Sequence, residues 1–330
     1  MEATDMSRFQ KLRTTARAIA VTTLMTFSTI AAADDYPSQT VHIVVPWAAG
    51  GGTDAIARAF AEGFSEVSGQ SVVIDNITGA SGATGTARAM RARPDGYTLV
   101  LNGSSDMNST LAFRSQPYEL DDFVYIGGVY DSPTWLVANA ERGYKSYEDF
   151  RDAAKKSPGQ LTIAVGGTAN AHTLMAAAIR SMGEIDVRII PYGGGADVRR
   201  ALLANEVDAG VIHAPVMLGE IREGLINVLT VGGSLERIHH EPLRDTPTLR
   251  DHGIPADFGV VRMIMAPKGL PDETRAEIER IAEKAVATEH YRKFGEKFGF
   301  APVWMSSKEA DALMRAELAS FREIKTKYLD

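Results

Sequence analysis

The sequence predicts an α/β fold of two lobes, each a largely parallel sheet flanked by helices, with two chain crossings between the lobes. Three observations predict it. Five times a short β-rich run passes through a glycine- or hydroxyl-rich turn into a helical pattern, which is the signature of parallel strands covered on both faces. Two further apolar runs, inside 129–139 and 259–269, are placed to carry the chain between lobes. The chain of 330 residues, 45% hydrophobic and 23% charged, is long enough for two modest domains.

The five units are read in order. The first is "HIVVPWAAGGGTDAIARAF", residues 42–60, and the second "VVIDNITGASGATGTARAM", residues 72–90. The third, "YTLVLNGSSDMNSTLAF", ends at Phe113. The fourth is "LTIAVGGTANAHTLMAAAI", with Thr168 or Asn170 as the candidate helix cap, and the fifth "VRIIPYGGGADVRRALL". The crossings place 36–133 plus 257–330 in lobe 1 and 134–256 in lobe 2. The C-terminal stretches "PDETRAEIERIAEKAVATEHYRKFGEKFG" and "SSKEADALMRAELASFREIKTKYL" read as two amphipathic helices. Ser306 and Glu309 make a capping box at the second.

The N-terminus predicts export. Arg8, Lys11, Arg13 and Arg17 precede the apolar "AIAVTTLMTFSTI" and then "AAADD". That order is a secretory leader cleaved after Ala33, with Met6 as the start that gives the more usual length. Without residues 1–33 the chain keeps 31 basic and 40 acidic side chains, a net charge of −9. An acidic chain argues against a nucleic-acid partner. Cysteine is absent, which removes thiol nucleophiles, disulfides and Cys-based metal sites. No run of 18 or more apolar residues is present.

The glycine turns lie where ligands bind in open parallel sheets, beyond the carboxyl ends of strands. Each opens a helix whose first N–H groups lack intrahelical partners and favour an anionic oxygen. A phosphate loop is excluded because no Lys follows the glycines, and "GASGATG" is spaced GxxGxxG, not GxGxxG. Acyl transfer lacks a G-x-S-x-G elbow. The adjacent His239 and His240 do not make a metal pair, and no H-E-x-x-H occurs. With no Arg or Lys inside any of the five turns, an anion would be held by neutral donors.

"YPSQTVHIVVPWAAGGGTDAIAR", "TGASGATGTARAMRARPDGYTLVLNGSS", "PGQLTIAVGGTANAHTLMAAAI", "VRIIPYGGGADVRRALLANEVDAG" and "MAPKGLPDE" together resemble the solute-binding proteins of tripartite tricarboxylate transporters, the Bug-type periplasmic receptors. The resemblance implies a periplasmic-binding-protein clamshell that holds a small organic carboxylate between its lobes and delivers it to membrane permease subunits, as a monomer, without cofactor and without chemistry. It implies that one carboxylate is clasped, partly through water, by Trp47, Ala48, Gly51, Thr53, Ser81 and Thr84. It implies that Ser104, Ser105, Gly167, Thr168, Ala169, Tyr192 and Gly193 set what lies at the far end, with His172 and His213 nearby and Asp208 supporting the second sheet. The sequence departs from the common pattern at Trp47, where Phe is usual, and at His213, where a small polar or acidic residue is frequent. The ligand is left open between an aliphatic di- or tricarboxylate and an aromatic carboxylate. Two other functions stay open at this point. One is a sensing lobe for a signalling partner; the other is an enzyme using His172 or His213 as base.

Overall fold

A computed structural model of the protein describes residues 36–168, 170–233, 245–255, 258–298, 300 and 302–328. The expected leader, Ala169, His239 and His240 lie outside the described residues. The architecture below is that of the compact unit Gln39–Asp330.

The five predicted units are present. They are β1 (Val41–Val45) with α1 (Gly52–Ser68), β2 (Val72–Asn76) with α2 (Ala83–Met90), and β3 (Thr98–Gly103) with α3 (Ser104–Phe113). After β4 (Phe123–Asn139) and α4 (Tyr147–Lys156) come β5 (Thr162–Val165) with α5 (Ala171–Met182) and β6 (Arg188–Pro191) with α6 (Gly195–Leu203). A sixth unit, β7 (Ala209–His213) with α7 (Ala214–Arg222), follows. The chain continues through β8 (Ile226–Val231), β9 (Gly259–Pro267), α8 (Asp272–Val286), α9 (Glu289–Phe298), β10 (Met305–Ser306) and α10 (Ser307–Tyr328).

Strand order is β2-β1-β3-β9-β4-β7-β5-β6, with β8 and β10 also on β4. The outer trios are parallel: β1 with β2 and β3, and β5 with β6 and β7. The centre is antiparallel, β9 running against β3 and β4 and β4 against β7 and β8. The sheet is therefore less parallel than its βα repeats imply, because the two long central strands carry the chain out and back in opposite directions. The first half of β4, up to Pro133, pairs with β9, and from Thr134 it pairs with β7. At that change of partner Thr134 donates its N–H to Phe258 O at 2.9 Å and its hydroxyl at 2.5 Å. Buried side chains run without interruption from Val100 and Met107 through Leu136 to Ile163 and Met175.

Helix signals hold in detail. Asn170, not Thr168, caps α5, its Oδ1 accepting from Thr173 N at 3.1 Å. The Ser306–Glu309 box forms at α10, with Ser306 N donating to Glu309 Oε2 at 2.9 Å. The stretch read as one helix before it is two. α8 ends at Val286, and the Thr288 hydroxyl both bonds Ala285 O at 2.8 Å and accepts from Tyr291 N at 3.3 Å, restarting the chain as α9.

Candidate ligand site

The turn after β1 is held by the acidic residue behind its glycines. Asp54 Oδ2 accepts from Gly50 N at 2.8 Å and from Arg58 Nε at 2.9 Å, while Oδ1 accepts from Asn76 Nδ2 at 3.0 Å. Asn76 also donates to Trp47 O at 3.0 Å. Burial opposes ionisation of Asp54, but the Arg58 side chain, the Gly50 N–H and Asn76 outweigh it and hold the carboxyl below its ordinary range. Asp54 therefore sutures the loop from inside, leaving Ala48 to Gly50 exposed.

Trp47 is aimed by a relay from the neighbouring strand. Its Nε1–H donates to Asn102 Oδ1 at 3.1 Å, Asn102 donates to Thr86 Oγ1 at 3.0 Å, and Thr86 donates to Gly82 O at 2.9 Å. Gly82 sits at φ +92°, a conformation that strains any residue with a Cβ, and a Cβ there would also crowd the indole at 3.3 Å. The turn preceding it is backbone-strained, with Ala80 at φ +48° and Ser81 at φ +55°.

A cavity of about 230 Å³ opens where three turns meet. Trp47 to Thr53 form one wall, Gly166 with Asn170 a second, and Gly193 to Asp197 a third. Ile56, Tyr130 and Val216 supply apolar surface. The starts of α1 and α6 face the same Val216 side chain: a Cβ on Gly52 would lie 3.9 Å from its Cγ2, and one on Gly195 3.1 Å. Two helix N-termini, each carrying about half a positive charge, thus border one small space. That volume is below the roughly 300–1,000 Å³ of drug-sized sites and suits a small solute.

The base of the cavity carries His172, His213, Asp106 and Arg262. Arg262 Nη1 donates to Asp106 Oδ2, both residues being about 95% buried. A Cβ at Gly103 would collide with the guanidinium and with Asp106. Beside the turns, a cation also lines the wall, reaching in from β9 and matched by a carboxylate from α3.

Of the residues singled out in the sequence, Trp47, Ala48, Gly51, Thr53, His172, Gly193 and His213 border this cavity. Ser81 and Thr84 do not; they belong to the turn packed behind Trp47, where Thr84 N bonds Gly79 O at 3.4 Å. Ser104 and Ser105 are buried tethers. Ser104 Oγ accepts from Val261 N at 3.2 Å, and Ser105 Oγ shares its one proton between Glu317 Oε1 at 3.0 Å and Gly259 O. The Gly167 carbonyl accepts from Thr173 Oγ1 at 3.0 Å. Thr168 accepts from Arg114 Nη2 at 3.0 Å. Tyr192 packs on the core around Trp135 and Val198. Asp208 stays in the second sheet, its carboxylate accepting from Thr162 N at 2.9 Å and Arg142 Nη1 at 2.8 Å. Among the side chains that sequence reasoning missed are Ile56, Asp106, Tyr130, Asn170 as a lining residue, Asp197, Val216 and Arg262.

The model of the tripartite tricarboxylate transporter family receptor matches residues 56–328. The chain belongs to that receptor family. Among curated relatives, this receptor is 32% identical to Protein BugT of Bordetella pertussis over 244 residues, 72% of this chain and 73% of the relative. It is 30% identical over 258 residues to a protein from the tcbD-tcbE intergenic region of Pseudomonas sp. strain P51, covering 77% and 76% of the two chains. Among solved structures it resembles the periplasmic binding protein BugD, with TM-score 0.78 and 26% identity over 88% of this chain and 98% of that one. MatC of Rhodopseudomonas palustris with bound malate shares the fold at TM-score 0.78 and 24% identity, over 88% and 99%. R. palustris Rpa4515 with adipate does so at TM-score 0.79 and 24% identity, over 88% and 98%.

Proposed function

We propose that this receptor works in the periplasm, seats a small organic carboxylate in the cavity between the turn after β1 and the turn before α6, and passes it to membrane permease subunits. The observation that carries the reading is the convergence of two helix N-termini, α1 and α6, on one small cavity beside Val216. The family match and the malate and adipate of two structural neighbours support a carboxylate as cargo. Lobe 1 is 36–133 plus 257–330 and lobe 2 is 134–256, a division supported by the change of strand partner at Pro133 and Thr134. Residues 1–33 are the export leader, and the carrier acts as a monomer.

The ligand-binding set is Trp47, Ala48, Gly51, Thr53, His172, Gly193 and His213, joined by Asn170 and Val216. Ser81 and Thr84 act through Trp47, by supporting its position. Three or four charge-assisted hydrogen bonds of about 1.5–3 kcal/mol each supply roughly 4.5–12 kcal/mol, a range that spans the ~8 kcal/mol of a micromolar complex and from which ordering and desolvation costs are drawn. The protein performs no reaction on its cargo. Its two candidate bases bond each other through Nε2, and neither is aimed as a lone base at the cavity.

A thermal-shift screen of aliphatic and aromatic carboxylic acids tests the reading, since a ligand of the folded state raises the melting temperature. A saturable shift with one acid class, and that acid recovered intact at one equivalent, is expected. Turnover of the acid would replace the carrier with an enzyme.

A further inference from the structure

His172, in the first turn of α5, and His213, at the end of β7, are each 7% exposed, and their Nε2 atoms lie 2.8 Å apart. A neutral imidazole carries one N–H. So short a contact therefore has one ring donating Nε2–H and the other accepting on a bare Nε2, with its proton on Nδ1. Both Nδ1 atoms are buried and have no hydrogen-bond partner among the described residues. One N–H and one lone pair are thus left unmet, which is costly in a native interior and points to a second state in which they are used.

Charge on the cavity wall supplies that second state. Arg262, from β9, is already paired with Asp106, from α3, and Asp197, from α6, adds an anionic group. Tyr130, from β4, faces the same space with a neutral phenol. Among the described lining residues the two imidazoles are the groups that can still become cationic. Without an anion they stay neutral. Burial pushes His172 down to about 4, Asp106 pulling it up and Arg262 further down, and burial, His172 and Arg262 together hold His213 well below the ordinary imidazole range. An anion seated beside the pair reverses the balance, because an opposite charge at close range favours the protonated form.

We propose that a carboxylate enters this cavity together with one proton, taken up by the His172–His213 pair, so that the pair is the specificity-determining element that supplies an unpaired cation on arrival of its ligand. The inference rests on the carboxylate reading above. One N–H bond forms and no other bond changes: a proton from solvent binds a ring nitrogen of the pair, giving an imidazolium that donates to the carboxylate, and it returns to solvent when the ligand leaves. Affinity then rises as pH falls, approaching tenfold per unit while the free pair is neutral and the ligand ionised.

The test is calorimetry of the acid giving the largest thermal shift, at pH 7 in PIPES, ACES and Tris, whose ionisation heats differ. The slope of observed heat against ionisation heat is expected to report close to one proton taken up by the wild-type protein and near zero by H172Q/H213Q. Binding without proton uptake in the wild type, or the same uptake in the double variant, overturns the proposal. A ligand-independent arm uses ¹⁵N imidazole spectra of the free wild-type protein at pH 7, where one Nε2–H and one Nδ1–H tautomer are expected; two like tautomers or two cations overturn it. Stabilisation by Zn²⁺ that disappears in H172Q/H213Q would also overturn it, by making the pair metal ligands. If no acid binds while the tautomer pair is seen, it is the carboxylate reading that has failed.

Discussion

At the scale of single residues, the site depends on side chains that never need to touch a ligand. Asp54 gathers three donors from the Trp47–Gly52 loop, from Arg58 and from β2, and so sets the path of the loop that borders the cavity. Asp54→Ala removes charge-assisted hydrogen bonds and is expected to lower stability by about 2–3 kcal/mol, measured by urea denaturation at pH 7. The pH dependence has a definite sign. The folded carboxyl sits below its ordinary value of about 3.9, so its contribution is complete above that value and is lost as pH falls through the lowered folded value. The stability gap between wild type and Asp54→Ala is therefore expected to shrink below about pH 4 and to be constant from pH 5 to 8. At the rim, Asp197 opposes an incoming anion. Asp197→Asn is expected to tighten carboxylate binding by roughly 1 kcal/mol, read by calorimetry, and weaker binding would mean that Asp197 orders the α6 turn more than it repels. Thr53, which borders the cavity, was singled out in the sequence within the loop that follows β1, whereas the hydrogen bonds of Asp54 beside it were not legible because one of their partners, Asn76, lies 22 positions away. Nor was Arg262 legible. It lies mid-strand with no turn beside it, 156 positions from the carboxylate that pairs with it.

At the scale of elements, the βα units were readable from glycine punctuation, and the element that escaped has none. β7 and α7 meet at His213–Ala214 with no glycine between them. The available signal was Pro215 in the first turn of α7, a common helix start. That unit delivers both His213 and Val216 to the cavity. The third turn misled in the opposite sense. Its hydroxyls suggested ligand donors, but Ser104 and Ser105 fasten α3 to β9 and α10, which the sequence could not show because those partners lie more than 150 positions away. Gly103 completes this junction by leaving room for the Arg262–Asp106 pair. Gly103→Ala is expected to cost about 2–3 kcal/mol through overpacking, with a further loss if the buried ion pair separates. An unchanged denaturation midpoint would show that the junction yields without strain.

At the scale of the whole molecule, two parallel trios hang on the antiparallel pair β4 and β9, and the cavity lies where turns of both trios come together. Ligand contacts made to both sides stabilise the arrangement that brings those turns together, by as much as the contacts differ between the joined and separated states. The strand repeat made this architecture legible. The antiparallel centre was not legible, because direction within a sheet is set by where the chain must return, and the local pattern carries no record of that. The most direct measurement is a crystal structure with the acid that stabilises the protein most. Its carboxylate is expected within ~3 Å of backbone N–H groups at the starts of both α1 and α6, beside Trp47 and Val216. A carboxylate bound elsewhere, or touching the turn of one trio alone, would contradict the account.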